Sequence, residues 1–85
     1  MADVEYDNNK FRDNLAYLME KRGWIGAEVA DGVGTTRATI SRYLSGNRKP
    51  DVENVVKIAR FFNVTTYWLL GVSSDNKEEI NYGKK

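Results

Sequence analysis

The stretch from Val33 to Gly46, Val-Gly-Thr-Thr-Arg-Ala-Thr-Ile-Ser-Arg-Tyr-Leu-Ser-Gly, constrains the fold more than any other. It encodes a turn, a helix start, a short helix with two unlike faces and a helix stop. Gly34 can adopt the left-handed conformation that reverses a chain after a helix. Thr36 suits the N-cap, where its hydroxyl accepts from a backbone N–H that has no helical partner. Gly46 supplies the stop. Between them, Ile40, Tyr43 and Leu44 recur at helical spacing and form one apolar stripe, predicted to be buried. Arg37, Ala38, Ser41 and Arg42 occupy the other side and its margins, and both arginines are predicted to be exposed.

Ordinary small helical bundles also carry such helices, so the surroundings decide what the polar side is for. The chain has 85 residues, enough for one domain and near the lower limit for an unaided core. It has no cysteine, and so no disulfide or thiolate zinc site, and no histidine, the commonest general base and metal ligand. It lacks a Gly-Lys-Ser/Thr phosphate loop, and Asp13, Glu20, Glu28 and Asp31 do not pair as a catalytic dyad. These features argue against an enzyme, a cofactor or a resident metal. The net charge is only +1, but it is unevenly spread. Between Thr35 and Pro50 stand Arg37, Arg42, Arg48 and Lys49 with no acid, whereas acids gather at Asp3, Glu5 and Asp7 and at Asp75, Glu78 and Glu79. A basic face on a nearly neutral chain suits an anionic partner. No apolar run reaches membrane-spanning length and the polar N-terminus is unlike a signal peptide, so a cytoplasmic location without membrane contact is expected.

Periodicity elsewhere predicts four more helices and no strand. After a flexible N-terminus (residues 1–8), a first helix capped by Asp7, Asn8 or Asn9 runs to about Arg22 and stops at Gly23. Its stripe is Phe11, Leu15, Leu18 and Met19, with Tyr17 lying off it. Trp24-Ile25 is an apolar connection expected to be buried between helices. A second helix, about Gly26 to Val33, turns Val29, Ala30 and Val33 inward, although Gly26 and Gly32 each cost about 1 kcal/mol relative to alanine. The link Gly34-Thr35 is short, so the second and third helices should cross steeply. After the basic loop Asn47-Arg48-Lys49-Pro50, Asp51 caps or begins a fourth helix reaching about Phe62, with Val52, Val55, Ile58, Ala59 and Phe62 as its stripe. Asn63 suits a left-handed stop. Thr65 or Thr66 then starts a fifth helix whose Trp68, Leu69 and Leu70 complete the core before Gly71. Trp24, Tyr43, Phe62 and Trp68 are assigned to the core rather than to nucleotide stacking. Residues 9–71 thus form the domain, and residues 72–85 a polar linker or tail.

Taken together, these residues resemble the phage-repressor family of helix-turn-helix proteins (lambda-type, Cro/CI-like). The match runs through Val29-Ala30, Val33-Gly34-Thr35-Thr36, Ile40-Ser41-Arg42-Tyr43, Gly46 and Arg48-Lys49-Pro50. It resumes at Ile58-Ala59, Phe62-Asn63-Val64 and Trp68-Leu69-Leu70-Gly71, and covers most of the chain. The resemblance implies an all-α, compact five-helix domain that binds double-stranded operator DNA, usually as a dimer on a roughly palindromic site. The chain departs from the family at Met19 and Leu44, which replace a partly buried arginine–glutamate pair. Exchanging both partners together keeps the fold intact and should place the two side chains in contact. It departs again at Gly26, where a polar residue near a phosphate is usual, and at Ile25, which replaces a capping serine.

On this reading the helix from Thr36 to Ser45 enters the major groove. Arg37 has the planar fork that matches guanine O6 and N7, the alternative being a solvated or phosphate-bound side chain. Ala38 either touches a thymine methyl or merely permits close approach. Ser41 reaches a base or a phosphate or is simply solvated, and Arg42 reads a base or holds the backbone. Phosphate contacts are expected from Gly26, through free N–H groups at a helix start. Thr36 and Thr39 are capping or helical hydroxyls first and phosphate donors second. The loop residues Ser45, Asn47, Arg48 and Lys49 should rest against the sugar-phosphate chain. The function so implied is a transcriptional regulator, a repressor of the phage or prophage type. A protein-interaction module on the same fold, an antitoxin or bridging factor, is the alternative. Self-association should be weak, strengthened on DNA or by a C-terminal domain. The candidate dimer surface lies around Asn63 to Leu70, with Thr66 and Tyr67 exposed. The terminal Asn81-Tyr82-Gly83-Lys84-Lys85 fits either a fragment cut in a linker or a complete small regulator.

Overall fold

The computed structural model describes residues 7–72; the expected flexible start and polar tail, at residues 1–6 and 73–85, lie outside the described residues. Five helices follow in order: α1 (Asn8–Arg22), α2 (Gly26–Val33), α3 (Arg37–Ser45), α4 (Val52–Phe62) and α5 (Thr66–Leu70). Among the described residues there is no β-strand, and no helix is long and apolar enough to cross a membrane.

Local chemistry accounts for where the helices begin. The Asp7 carboxylate accepts from the Asn9 N–H at 2.9 Å, the Thr36 hydroxyl from Thr39 N–H at 3.1 Å, Asp51 from Asn54 N–H at 2.8 Å and Thr65 from Trp68 N–H at 3.0 Å. Each satisfies a donor that the first helical turn leaves without a partner. The start of α2 is different, because the Ile25 side chain at the N-cap has no atom that can accept. Only half a capping box forms there, with the Glu28 carboxylate taking the Ile25 N–H at 2.9 Å.

The principal helix contacts close a ring, α1 on α3, α3 on α2, α2 on α4, α4 on α5 and α5 back on α1. The core fills that ring. Phe11, Leu15 and Leu18 of α1 are fully enclosed, as are Val29, Ile40, Ile58 and Leu69 from the other helices. Polar side chains tie helix ends across the ring. Asn14 Nδ2 donates to the Trp68 carbonyl at 2.8 Å and the Leu69 carbonyl at 3.3 Å, and Arg22 Nη1 donates to the Phe62 carbonyl at 2.8 Å. Asn63 holds the left-handed conformation at φ 58° beyond α4. Gly71 lies against α1, so that a Cβ placed on it would be 2.6 Å from Lys10 Cβ.

Expectations about the burial of five apolar residues require correction. Trp24 and Ile25 are 40 % and 63 % exposed rather than buried. The backbone of this connection turns inward to finish α1, with Trp24 N–H on the Met19 carbonyl at 2.9 Å, and the side chains point out. The Trp24 ring covers Phe61 edge-on at 5.1 Å instead of entering the core. Val52 opens α4 beyond the end of the ring and is 79 % exposed. Leu44 and Leu70 are half-buried, packed on the rim of the core. On α3, at about 100° per residue, Leu44 falls between Ile40 and Arg37 and so lies at the margin of the stripe. Met19 is buried and α1 packs directly on α3, so the helix pair is joined by apolar packing. Tyr17 leans on Trp68 with ring centres 6.0 Å apart.

The two glycines of α2 should respond oppositely to the same substitution. A Cβ on Gly32 would overlap the Phe61 ring, which Trp24 and Phe62 hold edge-on at 5.1 and 5.0 Å. A Cβ on Gly26 would meet only Ile40 Cγ2, at 3.9 Å. Alanine gains up to about 1 kcal/mol over glycine in a helix, whereas displacing a packed ring costs about 1–3 kcal/mol. Urea unfolding is expected to show Gly26→Ala stabilised and Gly32→Ala destabilised.

Candidate nucleic-acid interface

The α2–α3 unit is set by its turn. Gly34 has φ 86°, and its N–H and that of Thr35 both reach the Ala30 carbonyl at 2.9 Å. An L-residue with a Cβ is strained in that conformation. Thr36 then returns to an extended conformation and caps α3, its hydroxyl also 2.8 Å from that of Thr39. Below the helix, Ile40 is fully enclosed, and Tyr43 sits edge-on to Phe11 at 5.5 Å between ring centres. The Tyr43 hydroxyl accepts from Asn54 Nδ2 at 2.8 Å, which fixes the long side chain at its far end. At the C-terminus Gly46 has φ 80°, and the Asn47 N–H bonds the Arg42 carbonyl at 3.0 Å. Both ends and one side of α3 are therefore held, and its rotation about its own axis is determined.

That rotation decides what faces out. Passing around the helix at about 100° per residue, Arg37, Ser41, Ser45, Ala38 and Arg42 follow one another on the side opposite Ile40 and Tyr43. All five are exposed. Neither Arg37 nor Arg42 has an ion pair or side-chain hydrogen bond among the described residues. Two of the acids flanking this stretch are turned to other uses: Glu28 accepts at the start of α2 and Asp51 at the start of α4. Asn47, Arg48 and Lys49 continue from the same end of α3 as an exposed loop, pinned where Pro50 is buried.

Between α2 and α3 lies an open groove of about 500 Å³, lined by Ile25, Gly26, Ala27, Arg37, Ala38, Ile40, Ser41 and Leu44. Gly26 stands at its edge, where the first N–H groups of α2 lack helical acceptors. The structure thus brings Gly26, Arg37, Ala38 and Ser41 to one groove. Arg42 and Ser45 share the exposed side of α3, and Asn47, Arg48 and Lys49 extend it. The hydroxyls of Thr36 and Thr39 are engaged with each other at the helix start, and that of Ser45 bonds the Arg42 carbonyl at 3.0 Å. Two neighbours escaped the sequence reading. Ile25 walls the groove, although its hydrophobicity pointed inward. Arg12 lies across the end of α3, its Nη1 3.2 Å from where a Gly46 Cβ would stand, while Asn8 Nδ2 donates to the Gly46 carbonyl at 3.4 Å. The signal for Arg12 was its place beside Phe11, whose ring touches Tyr43.

Comparison with known proteins agrees with this geometry. A family model described as "Helix-turn-helix" matches residues 15–69. The HTH-type transcriptional regulator AnsR of Bacillus subtilis (strain 168) is 36 % identical over 59 residues, 69 % of this chain and 51 % of that protein. The cryptic phage CTXphi transcriptional repressor RstR of Vibrio cholerae is 33 % identical over 69 residues, 81 % of this chain and 62 % of that protein. The match thus spans only 51 % and 62 % of the full lengths of these two relatives. The restriction-modification controller protein C.AhdI from Aeromonas hydrophila shares the fold, with a TM-score of 0.70 at 24 % identity over 74 % of this chain and 96 % of that one. A match that takes in α2, the Gly34 turn and the whole of α3 places the chain in the helix-turn-helix family of the Cro/CI type.

Proposed function

We propose that this chain is a sequence-specific, double-stranded DNA-binding repressor of the phage or prophage type, reading the major groove with α3. The observation that carries this reading is the pair Arg37 and Arg42. Both are exposed and without a partner among the described residues, on a helix clamped along its other side. Guanidinium groups left unpaired beside a carboxylate-free stretch attract phosphate and can donate two parallel N–H bonds to guanine. Arg37, Ala38, Ser41 and Arg42 read base edges in this scheme. Gly26, Thr36, Thr39, Ser45, Asn47, Arg48 and Lys49 set the register through the backbone. Repression is steric, the bound protein occupying the site that polymerase would use. The kinship with RstR, named as a phage transcriptional repressor, supports the assignment.

One short recognition helix touches too few base pairs to select a site in a genome, so two copies act together, with recognition helices about 34 Å apart on a roughly palindromic operator. The surface proposed for pairing holds Tyr67, exposed as expected, together with Leu70 and with Thr66, which is half-buried rather than exposed. It continues onto α4 through a groove that also takes in Pro50, Val52, Val55 and Val56. This apolar area is small, and free protein should associate weakly, gaining affinity on DNA or through a further C-terminal domain.

Selection of bound duplexes from a randomised pool, followed by titration at several salt concentrations, tests the assignment. Arg37→Ala is expected to lose about 1–3 kcal/mol on the selected duplex and to relax the choice at one base pair. Equal losses on selected and random duplexes would make Arg37 a backbone contact. Arg48→Ala should instead weaken binding to every sequence and lower the slope of log affinity against log salt by about 1. Sedimentation should show a mostly monomeric free chain and two copies per operator. A stable one-to-one complex on a non-palindromic site would refute the paired arrangement.

A further inference from the structure

Ile25 is a large aliphatic side chain left 63 % exposed beside the helix proposed to read DNA. It belongs to the connection before α2, yet it walls the same groove as Arg37, Ala38, Ser41 and Leu44. Stability does not explain it. At an N-cap, serine, aspartate or asparagine would satisfy a free N–H that isoleucine cannot. The core does not explain it either, because Ile25 contributes nothing to the enclosed cluster. What it does is make one wall of the groove aliphatic, where Gly26 and Ala38 leave room and the half-buried Leu44 adds apolar surface. The Arg37 guanidinium lines the same groove.

An aliphatic slot beside a guanidinium matches one chemistry in the major groove. A thymine presents a C5-methyl there, which is recognised by apolar contact, and a neighbouring guanine presents O6 and N7 to an arginine. We infer that Ile25, with Ala38 and Leu44, forms a slot for the C5-methyl of a thymine in the base pair next to the one read by Arg37. The inference rests on α3 being the major-groove helix, and it adds a specificity-determining residue from outside that helix. The groove is continuous with the base-reading face, so its occupant is part of the same duplex. Enclosing one methyl group against these side chains is worth about fourfold in affinity.

The test replaces each thymidine of a selected operator, one at a time, with deoxyuridine, which removes the methyl and leaves base pairing unchanged. Wild-type protein should lose about fourfold in affinity at one position per half-site, adjacent to the guanine whose recognition depends on Arg37. Ile25→Ala should bind the thymidine and deoxyuridine duplexes equally at that position, while still preferring the selected operator to random DNA. Ile25→Ser adds a cap acceptor, so its thermal midpoint should match or exceed that of wild type even as methyl discrimination disappears. Equal binding of wild-type protein to both duplexes at every position would overturn the slot. Undiminished discrimination in both variants would overturn it too, by assigning the methyl to Ala38 alone. If wild-type protein fails to prefer any selected duplex to random DNA, the reading of α3 itself falls, and the slot with it.

Discussion

Burial of Ile40 and Tyr43 beneath α3 is the interaction on which the rest of the molecule depends. A helix of 9 residues is too short to persist alone in water. Its geometry is imposed by the packing below it, chiefly the Tyr43 ring against Phe11 and the Tyr43 hydroxyl on Asn54. These contacts connect α3 to α1 and α4 at once, so the outward face is aimed by both of those helices. The arginines themselves need no internal support. Their position follows from Ile40 and Tyr43, which point inward from the opposite side of the same helix.

The acidic residues are disposed in a complementary way. Asp7, Glu28 and Asp51 each accept a backbone N–H at a helix start, where the helix dipole favours negative charge. The same placement removes carboxylates from the surface between Thr35 and Pro50, where they would otherwise pair with Arg37 or Arg42. Helix capping and the electrostatic character of the α3 face are thus served by the same residues. A chain with almost no net charge can present a basic side because none of its acids falls between Thr35 and Pro50.

Much of this was legible in the sequence, and the reasons are local. Asp7, Thr36, Asp51 and Thr65 cap, and Gly34, Gly46 and Asn63 take left-handed conformations, through chemistry that reaches no further than a few neighbours. The inward stripes of α1, α2 and α3 follow from helical spacing, which also exposes Arg37 and Arg42. What escaped depends on which element covers which. Trp24, Ile25 and Val52 are apolar, but no helix of the ring lies over them, and hydrophobicity alone carries no information about that. The bonds from Asn14 to the end of α5 and from Asn54 to Tyr43 join residues whose proximity exists only after folding. Ile25 illustrates the point for the site. Its type suggested a buried connector, and only its place beside α3 shows a wall of the groove.

The packing of Gly71 onto Lys10 has a topological consequence. Because α5 closes the ring against α1, with Asn14 gripping its last carbonyls, the chain leaves the folded unit beside the helix by which it entered. A unit whose entry and exit adjoin behaves as a cassette. It can be set into an exposed loop of another protein, or be recut and rejoined through a short bridge from Val72 to Asp7, without any of its helices having to part. The α2–α3 reading surface would pass unchanged through such rearrangements, since none of its supports crosses that seam.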